Sequence, residues 1–157
     1  MTPPGNDPKQ QFEAVEQMLT GWLKERRLVL GKYTELVVAL QGDLPGRELA
    51  QRQGELCELL VDYASAGHFE VFHGLLDEAE SFGDEDGLAG QLMPAIGDTT
   101  EVILAYEEKY AGDPQSRDKL KRDLSALGEV LESRFVLEDQ MIAGLHGRHR
   151  GRVDNPA

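Results

Sequence analysis

Several polar residues of this chain stand where a helical protein ordinarily places apolar ones. Arg26 fills the gap between Trp22 and Val29 in an apolar series, and Arg134 and Glu138, one turn apart, interrupt the series from Leu120 to Leu145. Asp62 lies beside the run Leu59, Leu60 and Tyr63, and Thr99 is a milder case between Ile96 and Ile103. If these helices pack against one another, the charges meet as a buried or half-buried ion network. Two roles are open to it. It can set helix register and pairing, often with little net gain in stability, or it can line a groove at the end of the fold and pair with the charges of a ligand. In either case Arg26, Asp62, Arg134 and Glu138 are expected to form one connected cluster.

Other constellations carry less. Asp62 precedes His68 by a turn and a half, and such a pair can fix a bend or serve as a general base. Ser65 is the nearest hydroxyl, but it sits in no recognisable nucleophile elbow. Glu70-Val-Phe-His73 matches one half of a carboxylate-bridged di-iron motif, and no second half is present. His146 and His149 belong to a basic tail. Cys57, with Leu60, Val61 and Ala64 at helical spacing, reads as an inert core thiol. There is no glycine-rich phosphate loop and no paired-cysteine zinc motif. No catalytic residue, metal or cofactor is therefore assigned, and an enzyme is not expected.

The elements that would position these residues are long helices. Asp7 can cap a helix and Pro8 suits its first position. Phe12, Val15, Leu19, Trp22, Val29, Tyr33, Leu36 and Leu40 then come at alternating three- and four-residue steps, a heptad seam. Gly42-Asp-Leu-Pro-Gly46 is a turn. A second helix begins near Arg47 or Glu48. Gly67 disfavours its continuation, and the apolar run resumes with Phe69, Phe72, Leu75, Leu76 and Ala79, so a bend is predicted at Gly67; a sharp re-entry there would give this glycine a positive φ. Gly83 should end that strut, and Asp84-Glu-Asp-Gly87 should open the next with negative charge. The following helix carries Leu92, Ile96, Thr99, Ile103, Tyr106 and Tyr110, with a kink or a late start at Pro94. Gly112, Asp113 and Pro114 repeat the stop, cap and restart pattern before a last helix through Leu145. Almost nothing alternates with period two, so no strand is predicted. The fold class is all-α: an antiparallel four-helix bundle of long helices, one strut bent near Gly67. Residues 1–7 form a flexible lead, 8–146 one domain, and 147–157 a flexible basic tail.

Length, composition and charge fit this reading. The 157 residues are 40% hydrophobic and 29% charged, in the range of one globular domain. The net charge of −13 repels nucleic acid phosphates and anionic lipid and favours basic partners. A single cysteine excludes an internal disulfide. The N-terminus lacks signal-peptide blocks and no apolar run reaches membrane-spanning length, so a cytoplasmic protein is expected.

Two stretches carry a family resemblance. Leu60-Val-Asp-Tyr-Ala-Ser-Ala-Gly-His-Phe-Glu-Val-Phe72 and Arg134-Phe-Val-Leu-Glu-Asp139 resemble the signature stretches of the regulator of sigma D (Rsd/AlgQ) family. Trp22-Leu23 with Glu25-Arg26, and residues 78–84, are similar to the same family, and the likeness spans about 12–145. Gly21 replaces an Asp frequent in that family, and the segment around 111–119 matches it poorly. The resemblance implies a helical bacterial anti-sigma factor that binds the C-terminal domain 4 of the housekeeping sigma factor of RNA polymerase. It would thereby block sigma's contacts with core polymerase and the promoter −35 element, and would itself be a monomer when free. Trp22, Arg26, Asp62, His68, Phe69, Arg134, Phe135, Glu138 and Asp139 are the motif positions so implied. The alternative is a helical-bundle ligand- or metal-binding protein using Asp62, His68, Arg134 and Glu138.

Overall fold

The structure, a computed structural model, describes residues 7–83, 87–111 and 116–154. Helix α1 spans Pro8–Leu40, α2 Gly46–Ala66, α3 Phe72–Ser81, α4 Leu88–Ala111 and α5 Arg117–Leu145; a short helix α6, Arg150–Asp154, comes after a 3-10 turn at Gly147–His149. No strand occurs among the described residues. Asp7 caps α1, its carboxylate accepting from the Lys9 amide, with Pro8 in the first turn. The seam is buried as the spacing predicts: Phe12, Val15, Leu19, Trp22, Val29, Leu36 and Leu40 face inward. At 33 residues and about 1.5 Å per residue, α1 is roughly 50 Å long.

Helix α1 packs along α2 and α3, α2 along α4, α4 along α5, and α5 closes against α1 and α3. Contacts between residues far apart in sequence show that neighbours run antiparallel. Trp22 meets Tyr63 and Lys32 meets Glu55; Arg26 meets Asp139 and Tyr33 meets Leu124; Thr99 meets Arg134 and Tyr110 meets Asp123. This is the up-down-up-down bundle expected from long helices with short turns. The core of Leu, Ile, Val and aromatic side chains runs its length.

The interruption at Gly67 has a different cause from the one predicted. Gly67 is right-handed (φ −58, ψ −50), and the chain continues through a π-helical turn at Gly67–Val71, in which the Phe72 amide donates to the Gly67 carbonyl. The turn inserts one extra residue into the helical register. The glycine is needed for closeness: a Cβ there would lie 2.9 Å from Trp22 Cζ2. Trp22 cannot yield easily, because its ring stacks on Tyr63 (centroids 4.8 Å, 6° apart) and its Nε1 donates to the Tyr63 carbonyl at 3.1 Å.

Other boundaries are legible in part. Gly83 lies just past α3 with φ 74, as its capping role requires. Helix α4 starts at Leu88, ahead of Pro94, and runs on through it; the late start is not seen. The Asp84–Asp86 opening and the Gly112–Pro114 signal lie outside the described residues, and α5 starts at Arg117 with Ser116 as its cap, accepting from the Lys119 amide at 3.2 Å. Beyond residue 146 the described chain continues in helical turns as far as Asp154, with His149 fully buried.

Gly67→Ala should lower the unfolding free energy by up to about 2 kcal/mol, since overpacking against Trp22 (about 1–3 kcal/mol) offsets or exceeds the roughly 1 kcal/mol of helix propensity gained. Urea denaturation checks this; a more stable variant would show that Trp22 moves aside freely.

Candidate functional site

The seam charges do converge. Helix α5 places Arg134 and Glu138 on the face that buries Leu127, Leu131 and Met141, and both are essentially solvent-free. Arg134 Nε donates to Glu138 Oε2 at 2.9 Å, and its Nη1 donates to the Thr99 and Thr100 hydroxyls of α4 at 3.0 and 2.7 Å. The Tyr63 hydroxyl of α2 donates to Glu138 Oε1. Arg26 Nη1 of α1 reaches that same oxygen at 3.4 Å and Asp139 Oδ1 at 2.8 Å. One buried ion pair on α5 therefore gathers partners from the other three long helices.

Electrostatics reflect this arrangement. Burial pushes the Glu138 carboxyl above the usual carboxylate range, against the opposing pull of Arg134, Tyr63 and Arg26. Burial and the adjacent Glu138 push the Tyr63 phenol far up, so it remains a donor. Aromatic faces complete the shell. The Arg134 guanidinium carbon lies 5.9 Å from the Tyr63 centroid, the Arg26 carbon 5.0 Å from that of Phe135, and Phe135 meets Tyr63 edge-on.

The remaining motif positions divide between interior and surface. Trp22 is core, as its contacts with Tyr63 show. Phe135 is half-buried, and Asp139 is exposed apart from its bond to Arg26. Asp62 corrects the prediction. It is exposed, on the rim of a cleft of about 540 Å³ between α2 and α4, and the next residue, Tyr63, takes the place in the cluster expected of it. His68 also lies on the surface, its ring edge-on to Phe69 at 4.8 Å. Phe69 is 70% exposed, the most open large apolar side chain among the described residues. The Asp62–His68–Arg134–Glu138 constellation is thus not assembled, since two members face solvent and two face the core.

Glu70 and His73 both lie on the solvated face. No group of three or more His, Cys, Asp or Glu among the described residues is arranged to hold a metal ion. Cys57 is buried, accepting from Gln53 Nε2, and burial raises its thiol to about 11. Sequence reasoning missed a second buried cluster, in which Glu78 of α3 binds His146 and His149. The available signal was Glu78 three residues after Leu75 on an apolar stripe, with a histidine pair one turn apart at 146 and 149.

Fold and site together define an all-helical bundle with an ionic core and an acidic exterior that carries an exposed aromatic. The chain belongs to the family of regulators of the RNA polymerase sigma(70) subunit, Rsd/AlgQ, whose family model matches residues 5–146. Relatives include the regulator of sigma D of Salmonella paratyphi A, 36% identical over 151 residues and 90% of each chain, and that of Salmonella arizonae, 35% identical over the same share. No solved structure matches the chain.

Removing one partner of a buried ion pair typically costs about 3–5 kcal/mol. Arg134→Ala should lose stability of that order, and the Arg134→Ala/Glu138→Ala double variant should lose less than the sum of the two single losses. Denaturant titration of all four proteins checks this. Additive losses would mean that the pair is not coupled.

Proposed function

We propose that this protein is an anti-sigma factor. It binds domain 4 of the housekeeping sigma factor and blocks that domain's contacts with core RNA polymerase and the −35 element. The observation that carries the reading is the family match over nearly the whole chain, together with relatives named as regulators of sigma D. The protein acts as a cytoplasmic, non-catalytic regulator, monomeric when free, with no cofactor and no direct contact with nucleic acid or membrane. In support, no helix among the described residues is long and apolar enough to cross a membrane.

The physical chemistry supports competition with DNA. A protein domain that grips DNA presents basic residues to phosphate, and a chain of net charge −13 complements such a surface. Charge supplies speed and selectivity of encounter, and lasting affinity needs a desolvated anchor. Trp22 is buried and cannot serve as that anchor. Phe69, held outward by the π-helical turn beside His68, is the anchor in this reading. Exposed Asp139, paired with half-buried Arg26 over Phe135, is a second point of contact.

The protein should bind the isolated labelled sigma domain at micromolar concentrations or below and displace −35 duplex from it. Association should slow as salt rises, because steering is screened over about 8–10 Å near physiological ionic strength. Absence of binding removes the assignment; a ternary complex with duplex keeps the partner and rejects competition.

A further inference from the structure

The second cluster lies where α1 begins and α5 ends. At His146 (φ −132, ψ −57) the chain leaves α5 and enters the turn that leads to α6. Glu78 of α3, with no solvent exposure, contacts His146 Nδ1 through Oε1 at 2.5 Å and His149 Nδ1 through Oε2 at 2.6 Å. The other ring nitrogen of His146, Nε2, contacts Glu16 Oε2 of α1. Each imidazole stacks on a phenyl ring: His146 on Phe12 (4.2 Å, 13°) and His149 on Phe82 (4.0 Å, 4°). An arginine lies against each phenyl in turn, Arg150 at 5.4 Å from Phe12 and Arg152 at 4.8 Å from Phe82. Arg150 Nη2 also donates to both Glu16 oxygens at 3.0 Å.

With Glu78 and Glu16 both ionised, their carboxylates only accept, so both nitrogens of His146 carry hydrogen and the ring is an imidazolium. Among the described residues it is faced by Glu16 from α1 and Glu78 from α3, with Arg150 of its own segment on Glu16 and His149 on Glu78. A protonated His146 gives each of the two carboxylates a cationic partner, and Arg150 is a second one for Glu16. Without that proton, a ring lone pair faces a carboxylate oxygen, and buried Glu78 loses its cation, a costly state.

We propose that residues 146–154 form a proton-locked clasp. It pins α3 to α1 while His146 is an imidazolium, and on loss of that proton it opens and uncovers Phe12 and Phe82. The direction of the titration agrees. Burial works against the cation, but the hydrogen bonds to Glu78 and Glu16 prevail and raise His146 above the ordinary histidine value. The Glu16 carboxyl is held below its ordinary value, chiefly by its hydrogen bond to His146. A raised histidine contributes stability that is complete below its unfolded pKa and lost as pH rises through the folded one; a lowered carboxylate contributes above its unfolded pKa and fails as pH falls through its folded one. The clasp is therefore closed below the raised pKa of His146 and opens as pH rises through it.

NMR of the full chain between pH 6 and pH 9.5 tests this by following the histidine rings and the amide protection factors, which correct for the intrinsic pH dependence of exchange. The amides of His149 and Arg150, which donate to the His146 and Gly147 carbonyls, should lose protection by at least about tenfold as the His146 ring titrates, since linkage allows up to about tenfold per pH unit beyond its pKa. Leu127 and Leu131 in α5 should keep theirs. Glu16→Gln, at a side chain 41% exposed, removes one acceptor charge without emptying the core and should move the transition to lower pH. Protection that persists after His146 has lost its proton overturns the proposal, as does a transition that Glu16→Gln leaves in place.

Discussion

The bundle depends on how Glu138 and Arg134 are satisfied. A carboxylate and a guanidinium with no solvent contact are expensive to bury, and their mutual attraction seldom repays the full cost. Most of the remaining hydrogen-bonding capacity is met from outside α5: Tyr63 from α2 and Arg26 from α1 donate to Glu138, and Thr99 and Thr100 from α4 accept from Arg134 Nη1, while Arg134 Nη2 has no hydrogen-bond partner among the described residues. Sliding any one helix by a turn would separate its side chain from the pair. Apolar seams tolerate such slips far better, because Leu against Leu looks similar in several registers. The ionic centre thus selects one register of the four helices, while the apolar core supplies most of the driving force.

The π-helical turn is the second constraint, and it links packing to surface. Trp22 lies flat on Tyr63, in contact range of the Gly67 backbone, and Phe72 meets it edge-on at 5.9 Å. Accommodating that indole takes a glycine at 67. The extra residue in the turn shifts the helical phase: Val71 and Phe72 are buried, while Phe69 faces solvent. The same local event builds the core around Tyr63, a donor to the ionic centre, and turns an aromatic outward.

Much of this is readable from spacing. The α1 and α5 seams, the Asp7–Pro8 start, the Gly83 stop and the burial of Arg134 and Glu138 all stem from three- and four-residue periodicity and local capping chemistry. The failures share a cause. Asp62 and Tyr63 differ by one position, which is about 100° around a helix of 3.6 residues per turn; Tyr63 is the one in the apolar run, but its hydroxyl carries no charge to mark it as a partner for Glu138. Phe69 reads as part of the apolar run because a π insertion leaves no mark in a single sequence. His149 looks like tail because its partner, Glu78, lies 71 residues away, and no local pattern reports such a contact.

We propose that the motif residues divide: those buried in the bundle build it, and those outside it meet the partner. Measuring unfolding free energy and sigma domain 4 affinity together on Phe69→Ala and Glu138→Gln tests that division directly. The account predicts that Phe69→Ala keeps its denaturation midpoint while its Kd rises at least tenfold, about 1.4 kcal/mol. It predicts that Glu138→Gln loses stability and, where still folded, binds nearly as tightly as the unaltered protein. An unchanged Kd for Phe69→Ala, or a folded Glu138→Gln that cannot bind, would contradict it.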